Sequence, residues 1–460
     1  MRDLNVRHIP NIRNNPAIRQ QRRIHGTIAR QNAGVTATLP APTSPWSPLR
    51  VTVFRNLWLA ALVSNIGTTM HTVGAAWAMT DLSDSPTVVS LVQTAWAVPG
   101  FLVAIPAGAF ADVVDRRRLI LISQLGSLFF AALLGVLAVT DRLEVPSLLI
   151  GTFVLSIVMT MSGPAFMVLI PELVEPRELT QAIGLNNIAY NGSQSVGPAL
   201  AGVIIAIAGP GAVFLINAAS FLGIVVVMWR FRPARPGPTS DEPMWHAMKT
   251  GVTYFAGRRI LSRYAIRIAL AFLATSSMVA LLPVVARQQL DATSAQFGIM
   301  SAAFGVGAVV AVWVLPPLKL RFGPDALVFG AASLWSLGAV MVALTGWVPL
   351  ATVGVLFTGI GTMAAMNIVY SMFMLMLPNW IRGRASSVVM LTVWLGTSIG
   401  TVVWGAVADA AGIRSALLVA AAVHLTATAV VCTQFTLTKG YVTVEEASRP
   451  VDRPGSTFAE

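Results

Sequence analysis

Gly108-Ala-Phe-Ala-Asp112-Val-Val-Asp115-Arg116-Arg117-Arg118 is the stretch on which the reading of this chain turns. An apolar run, roughly residues 86–111, leads into it, and another, roughly 119–139, leads out. Each run has about the 20 residues that a helix needs to cross a bilayer core. Two carboxylates and three guanidiniums are therefore packed into a short link between two apolar helices. Such a link either fixes orientation or forms part of a moving gate.

The rest of the chain repeats this pattern. Of 460 residues 55% are hydrophobic and 11% charged, and the mean hydropathy is +0.72; soluble domains carry about 25% charged residues. Twelve apolar runs are placed at roughly 55–80, 86–111, 119–139, 146–170, 183–208, 211–231, 262–287, 294–318, 324–346, 348–376, 385–408 and 412–436. They are too long for barrel strands and do not alternate, so the chain reads as an all-α membrane protein with twelve transmembrane helices.

Lys and Arg concentrate in every second connection. One set holds Arg116, Arg117, Arg118, Arg177, Arg230, Arg232, Arg235, Lys249, Arg258, Arg259, Lys319, Arg321, Arg382 and Arg384; the other holds Arg142, Arg287 and Arg414. The positive-inside rule puts the first set, and with it both termini, in the cytoplasm. The net charge of +12 is then loop charge plus a tail: residues 1–34 hold seven Arg against one Asp. A nucleic-acid partner is not needed to explain it. The single Cys432 excludes an intrachain disulfide and a cysteine-based metal site.

A polar stretch at 232–260 with Pro233, Pro236, Pro238 and Pro243 separates six runs from six. The expected organisation is a basic disordered tail (1–50), a six-helix half (51–231), a central cytoplasmic loop (232–260), a second half (261–437) and a cytoplasmic tail (438–460). A start downstream, near Val35, is a further reading of the first residues. The halves are related by a shift of 203 residues, which lays Ala182 on Ala385, Ser195 on Ser398, Gly197 on Gly400, Gly202 on Gly405 and Gly209 on Gly412. Parallel repeats of this kind build many carriers.

With Gly108, Asp112, Arg116 and Arg117 in a connection between the second and third of twelve runs, the chain resembles the major facilitator superfamily. It departs from that signature at Val113, where a basic residue is common, and at Asp115, where glycine is common. Ile170-Pro-Glu-Leu-Val-Glu-Pro-Arg-Glu-Leu-Thr-Gln-Ala182 and Leu377-Pro-Asn-Trp-Ile-Arg382-Gly383-Arg384-Ala385 resemble the branch of enterobactin-type siderophore exporters and macrolide efflux proteins. The resemblance covers about 55–436 and implies an inner-membrane secondary transporter of a small organic molecule that works by alternating access. It also implies an antiporter-type helix motif at Gly192, Gly197, Pro198 and Gly202; close helix packing is the plainer reading of those residues.

Asp112 at a helix end, with Asp115 and Arg116–Arg118 beside it, reads as a latch between two bundles, through a helix N-terminus or an arginine. The plainer reading is topology anchoring with Asp112 solvated. Polar residues within the runs are the cavity candidates: Asn65, Thr68 and His71 in the first, Gln93 in the second, Asn187, Asn191 and Gln194 in the fifth, Asn367 and Tyr370 in the tenth. The last two lie on a Met-rich face of the kind that accommodates varied apolar ligands. Interhelical hydrogen bonding is the plainer reading of each. His71 is the one deep titratable candidate for carrying a proton.

The sequence has no phosphate loop ending in Gly-Lys-Ser/Thr and no His-Glu-x-x-His, so neither an ATP-driven pump nor an enzyme is expected; no cofactor or metal is implied. The expectation is a monomeric secondary transporter of the bacterial inner membrane, a proton-driven exporter (antiporter) of a siderophore-like or drug-like small molecule. An importer of the same fold, or a membrane-embedded protein that transports nothing, are the alternatives.

Overall fold

A computed structural model describes residues 44–103, 115–231, 259–377 and 382–434. Gly108, Asp112, the second tail and most of the first tail and central connection lie outside these residues. The chain divides into two compact units, residues 1–47 and 48–460. In the first, Ser47 N–H donates to the Ser44 carbonyl at 2.8 Å and closes a turn.

The second unit is helical, with no strand among the described residues. Its helices are α1 (Thr52–Leu82), α2 (Pro86–Leu102), α3 (Arg116–Val139) and α4 (Val145–Leu173). One run, Leu179–Arg230, is broken at Gly209 into α5 (179–208) and α6 (210–230). Then come α7 (Arg259–Val284), α8 (Ser294–Lys319), α9 (Pro324–Leu344), α10 (Val348–Met376), α11 (Arg382–Ala411) and α12 (Ile413–Gln434). Among the described residues these helices are twelve, matching the apolar runs one for one.

Local chemistry sets the boundaries. Asp115 caps α3 by accepting from Arg118 N–H at 2.8 Å. Ser85 caps α2 ahead of Pro86, where the missing proline N–H costs nothing. Reciprocal capping boxes start α4 (Glu144 with Ser147) and α8 (Thr293 with Gln296).

The 203-residue shift has a structural meaning. Gly209 (φ +75°) and Gly412 (φ +85°) make the tight reversals α5–α6 and α11–α12, in the left-handed region that glycine enters without penalty. A Cβ at Gly197 would strike Thr69 of α1, and one at Gly400 would strike Ser276 and Leu273 of α7. A Cβ at Gly202 would strike Ser294 and Gly298 of α8, and one at Gly405 would strike Ser90 and Thr87 of α2. So α5 touches α1 and α8 as α11 touches α7 and α2, and the duplicated glycines mark equivalent contacts. Alanine at Gly209 or Gly412 forces a side chain into left-handed backbone, at about 1–2 kcal/mol each. Both variants are expected to melt several degrees below the parent in detergent; unchanged midpoints would show that the hairpins refold around a right-handed residue.

The buried core is not distributed evenly along the helices. At the end bearing the Arg-rich connections the clusters stay within one half: Leu57, Leu119, Ile120, Leu169 and Met228, with Phe54, Val174 and Leu185 beside them, in one, and Tyr264, Leu315, Val328, Phe373 and Val389 in the other. Toward the opposite end a single cluster joins Met70, Val73, Trp77 and Ile205 of the first half to Leu281, Val285, Phe297 and Trp404 of the second.

Candidate functional site

The joined end is a seal between the halves, and α7 positions its centre. After Val284 the helix widens into a π turn, Val285–Gln289, a local irregularity common at functional positions. Gln289 Nε2 lies 2.9–3.1 Å from the carbonyls of Val342, Ala343 and Thr345 at the end of α9, which holds the turn in place. Arg287 then faces α1. Its Nη2 donates to Asp81 Oδ1 at 2.8 Å, and its guanidinium lies 5.2 Å from the centre of the Trp77 ring. Gln288 Nε2 donates to the Asp84 carbonyl at 2.8 Å. Trp77 stacks on Phe297 of α8, with ring centres 5.3 Å apart.

Asp409 at the end of α11 makes the second bond of the seal. Its Oδ2 accepts from Ser85 Oγ–H at 2.8 Å and from Thr87 N–H at 3.0 Å, at the start of α2. An anion is favoured there because the first helical N–H groups have no partners in the helix. Deeper, the Thr94 and Thr401 hydroxyls meet at 2.8 Å. On the α5–α8 side the backbones touch: a Cβ at Gly298 would lie 2.6 Å from Gly202 Cα, and one at Gly305 would lie 2.4 Å from the Gln194 carbonyl.

The α5–α8 contact runs from Gly202 through Pro198 to Gln194. Asn191 and Asn187 continue that stripe toward the Arg-rich end. There Asn187 is exposed, and its carbonyl accepts from Asn191 Nδ2 at 2.8 Å. Asn367 on α10 is exposed as well, its Oδ1 accepting from Lys319 Nζ at 2.8 Å. Tyr370 reaches Ser386 of α11 through its hydroxyl at 3.2 Å. Amide and hydroxyl groups of this kind can hydrogen-bond a polar small molecule.

The profile of the family described as transmembrane secretion effector, of major facilitator type, matches residues 43–457. The chain belongs to that family. The staphyloferrin A transporter of Staphylococcus aureus is 26% identical over 263 residues, covering 56% of this chain and 65% of that protein, so the match spans just under two thirds of the relative. Among solved structures, a bacterial homolog of the human lysosomal transporter Spinster, inward-facing and unoccupied, superposes with a TM-score of 0.68 at 16% identity, covering 83% of this chain and 96% of that one. An inward-facing bacterial homologue of the iron transporter ferroportin gives 0.64 at 18%, covering 82% and 98%. At these identities the structures establish the major facilitator fold.

The other predicted residues of this major facilitator chain fall as follows. Gly108 and Asp112 of the gating motif lie outside the described residues. Arg116 pairs with Glu172 at the end of α4. Arg117 donates from Nε to the Met228 carbonyl at 2.7 Å and from Nη2 to the Trp229 carbonyl at 2.8 Å, closing the end of α6. These two arginines tie α3 to its own half. The contact expected of Asp112, with a helix N-terminus or an arginine, lies outside the described residues; among those described, Asp409 sets a carboxylate on a neighbouring helix N-terminus at the other end of the molecule. Of the four residues of the antiporter-type motif, Gly197, Pro198 and Gly202 are buried in helix contacts, whereas a Cβ at Gly192 would meet nothing within 4 Å.

His71 is fully buried, its ring 4.6 Å from that of Phe214 on α6, and neither ring nitrogen has a partner. Ser64 and Ala75, on the same helical face, are buried too. That face packs into the first half because α6 covers it: a Cβ at Gly67 would strike Ser220 and Asn217. Asn65, Thr68 and Gln93 are half-buried. Sequence reasoning missed the seal formed by Asp81, Asp84, Arg287 and Asp409. The available signal was charge: Arg287 is one of three basic residues in connections that otherwise lack them.

Proposed function

We propose that this chain is a secondary transporter that exports a small organic molecule by alternating access, and that its cleft opens here to the cytoplasm. The observation that carries the reading is the asymmetry of the halves: one end shares a core and is bonded through Asp81–Arg287 and Asp409–Thr87, and at the other the buried clusters each stay within one half. Two rigid halves that meet at one end can rock to meet at the other. The positive-inside rule assigns the open end, with the Arg-rich connections, to the cytoplasm. The transporter relative for staphyloferrin A supports a polar organic cargo. The family description and the Gly197-Pro198-Gly202 contacts support export. Proton drive completes the reading, with the inner membrane as site, the bilayer as partner and a single chain as the working unit.

The test is accumulation in everted membrane vesicles under an imposed pH gradient, screened over siderophores, antibiotics and dyes. Uptake of at least one compound that collapses with a protonophore supports proton-driven export. Uptake only into right-side-out vesicles would reverse the direction, and no uptake in either would overturn transport. Asp112→Asn, with insertion intact, is expected to slow that uptake several-fold; parent rates would return Asp112 to a solvated loop residue.

A further inference from the structure

An apolar space lies in the second half, among α7, α9, α10 and α12. Its walls include Arg267, Phe272, Ala332, Thr362, Met366 and His424. From Arg267 to Thr275 it extends over eight residues of α7, about 12 Å at 1.5 Å per residue. The walls are mainly apolar, with His424 at the far end, its ring edge-on to Trp335 at 5.0 Å.

Arg267 is the feature that calls for a ligand. It lies inside an apolar span, Tyr264–Gln289, and is 9% exposed. Among the described residues it is the one Lys, Arg, Asp or Glu that is buried. A guanidinium keeps its charge in a protein and carries five donors. Among the described residues its hydrogen-bond partner is Cys432 Sγ at 3.3 Å, a weak acceptor that is itself 3.7 Å from the Asp325 carbonyl. Burial of a cation is costly, and within a membrane it points to a binding function. The two facts meet at one residue: Arg267 lines one end of the apolar space.

We propose that this space binds an amphiphile with a single anionic head, the head on Arg267 and an apolar body about 12 Å long running toward His424. A bidentate guanidinium–carboxylate pair supplies the head contact, and the apolar walls supply the rest. The site is separate from the cleft between the halves, and it stands whether or not the chain exports anything.

Binding is measured without transport. Full-length protein in phosphatidylcholine nanodiscs is dialysed against labelled decanoate, with empty nanodiscs as the blank. The expected result is saturation at one decanoate per chain, with affinity at least about tenfold weaker in Arg267→Gln, the loss of one charged pair. Decanol and decylamine should fail to compete. Ala332→Phe, which fills the space and leaves the guanidinium in place, should abolish binding, and it decides the matter if Arg267→Gln does not fold. Native mass spectrometry of protein drawn from its own membrane separates the sources: an anionic phospholipid held by the parent and absent from Ala332→Phe assigns the site to a membrane lipid, and its absence from both assigns it to a free carboxylate. Saturation that is unchanged in Arg267→Gln and Ala332→Phe, equal competition by decanol, or no saturation at all would overturn the proposal.

Discussion

A valine at Gly202 is expected to open the sealed end and to stop transport. Its Cβ would lie 2.7 Å from the Ser294 carbonyl oxygen, 2.8 Å from Gly298 Cα and 3.1 Å from Ala295 Cα. All three are backbone atoms of a helix and cannot rotate away, so α5 and α8 have to separate. Overpacking of this kind costs about 1–3 kcal/mol, which moves a two-state equilibrium by roughly five- to 150-fold. Because the chain has one cysteine, accessibility can be read cleanly in a Cys432→Ser background. Ala286, fully buried in the joined core, serves as the reporter position when changed to cysteine. Labelling by a membrane-impermeant maleimide should rise at least about tenfold in Gly202→Val, with transport lost in parallel. Gly192→Ala, at a position where a Cβ meets nothing within 4 Å, should label and transport like the parent. Parent-level labelling in Gly202→Val would sink the idea that this contact closes the seal.

Reversing the charge of Asp81 should have the next largest effect. In Asp81→Arg two guanidiniums face each other where an ion pair now stands at 2.8 Å. Both side chains are nearly half exposed, at 44% and 46%. Solvent screening limits the pair to roughly 0.5–1 kcal/mol, and like-charge repulsion of similar size adds to its loss. The predicted shift toward the unsealed state is therefore about five- to 30-fold, and it should shrink in high salt. Arg287→Asp in the same molecule restores an opposite pair with the partners exchanged, and should recover most of the parent's reporter labelling. A double variant no closer to the parent than Asp81→Arg would mean that Arg287 acts through its contact with Trp77 and not through the carboxylate.

The fold was legible in the sequence because membrane helices declare themselves one at a time. Each must be apolar over about 20 residues and satisfy its own backbone, so twelve runs gave twelve helices without reference to packing. Gly209 and Gly412 were legible too, as one pair in a 203-residue repeat, and the structure gives them the same left-handed backbone. The candidate site was legible only in part. Asn187, Asn191 and Gln194 stood out as amides on one stripe, and the stripe does emerge from the α5–α8 contact. His71 stood out equally, yet it lies against Phe214, because nothing in a single helix says which neighbour covers a given face. Arg267 escaped notice because an arginine near the start of an apolar run reads as loop charge.

By itself, then, the chain's sequence determined its class, its helix count, its duplication and the charge asymmetry of its two ends. Those properties depend on contacts within one helix or on the solvent around it. The tertiary structure alone decided which end of the two halves shares a core, that Asp409 sets its carboxylate on the start of α2, and that the buried Arg267 borders an apolar space. Each of these depends on residues more than 100 positions apart meeting in space.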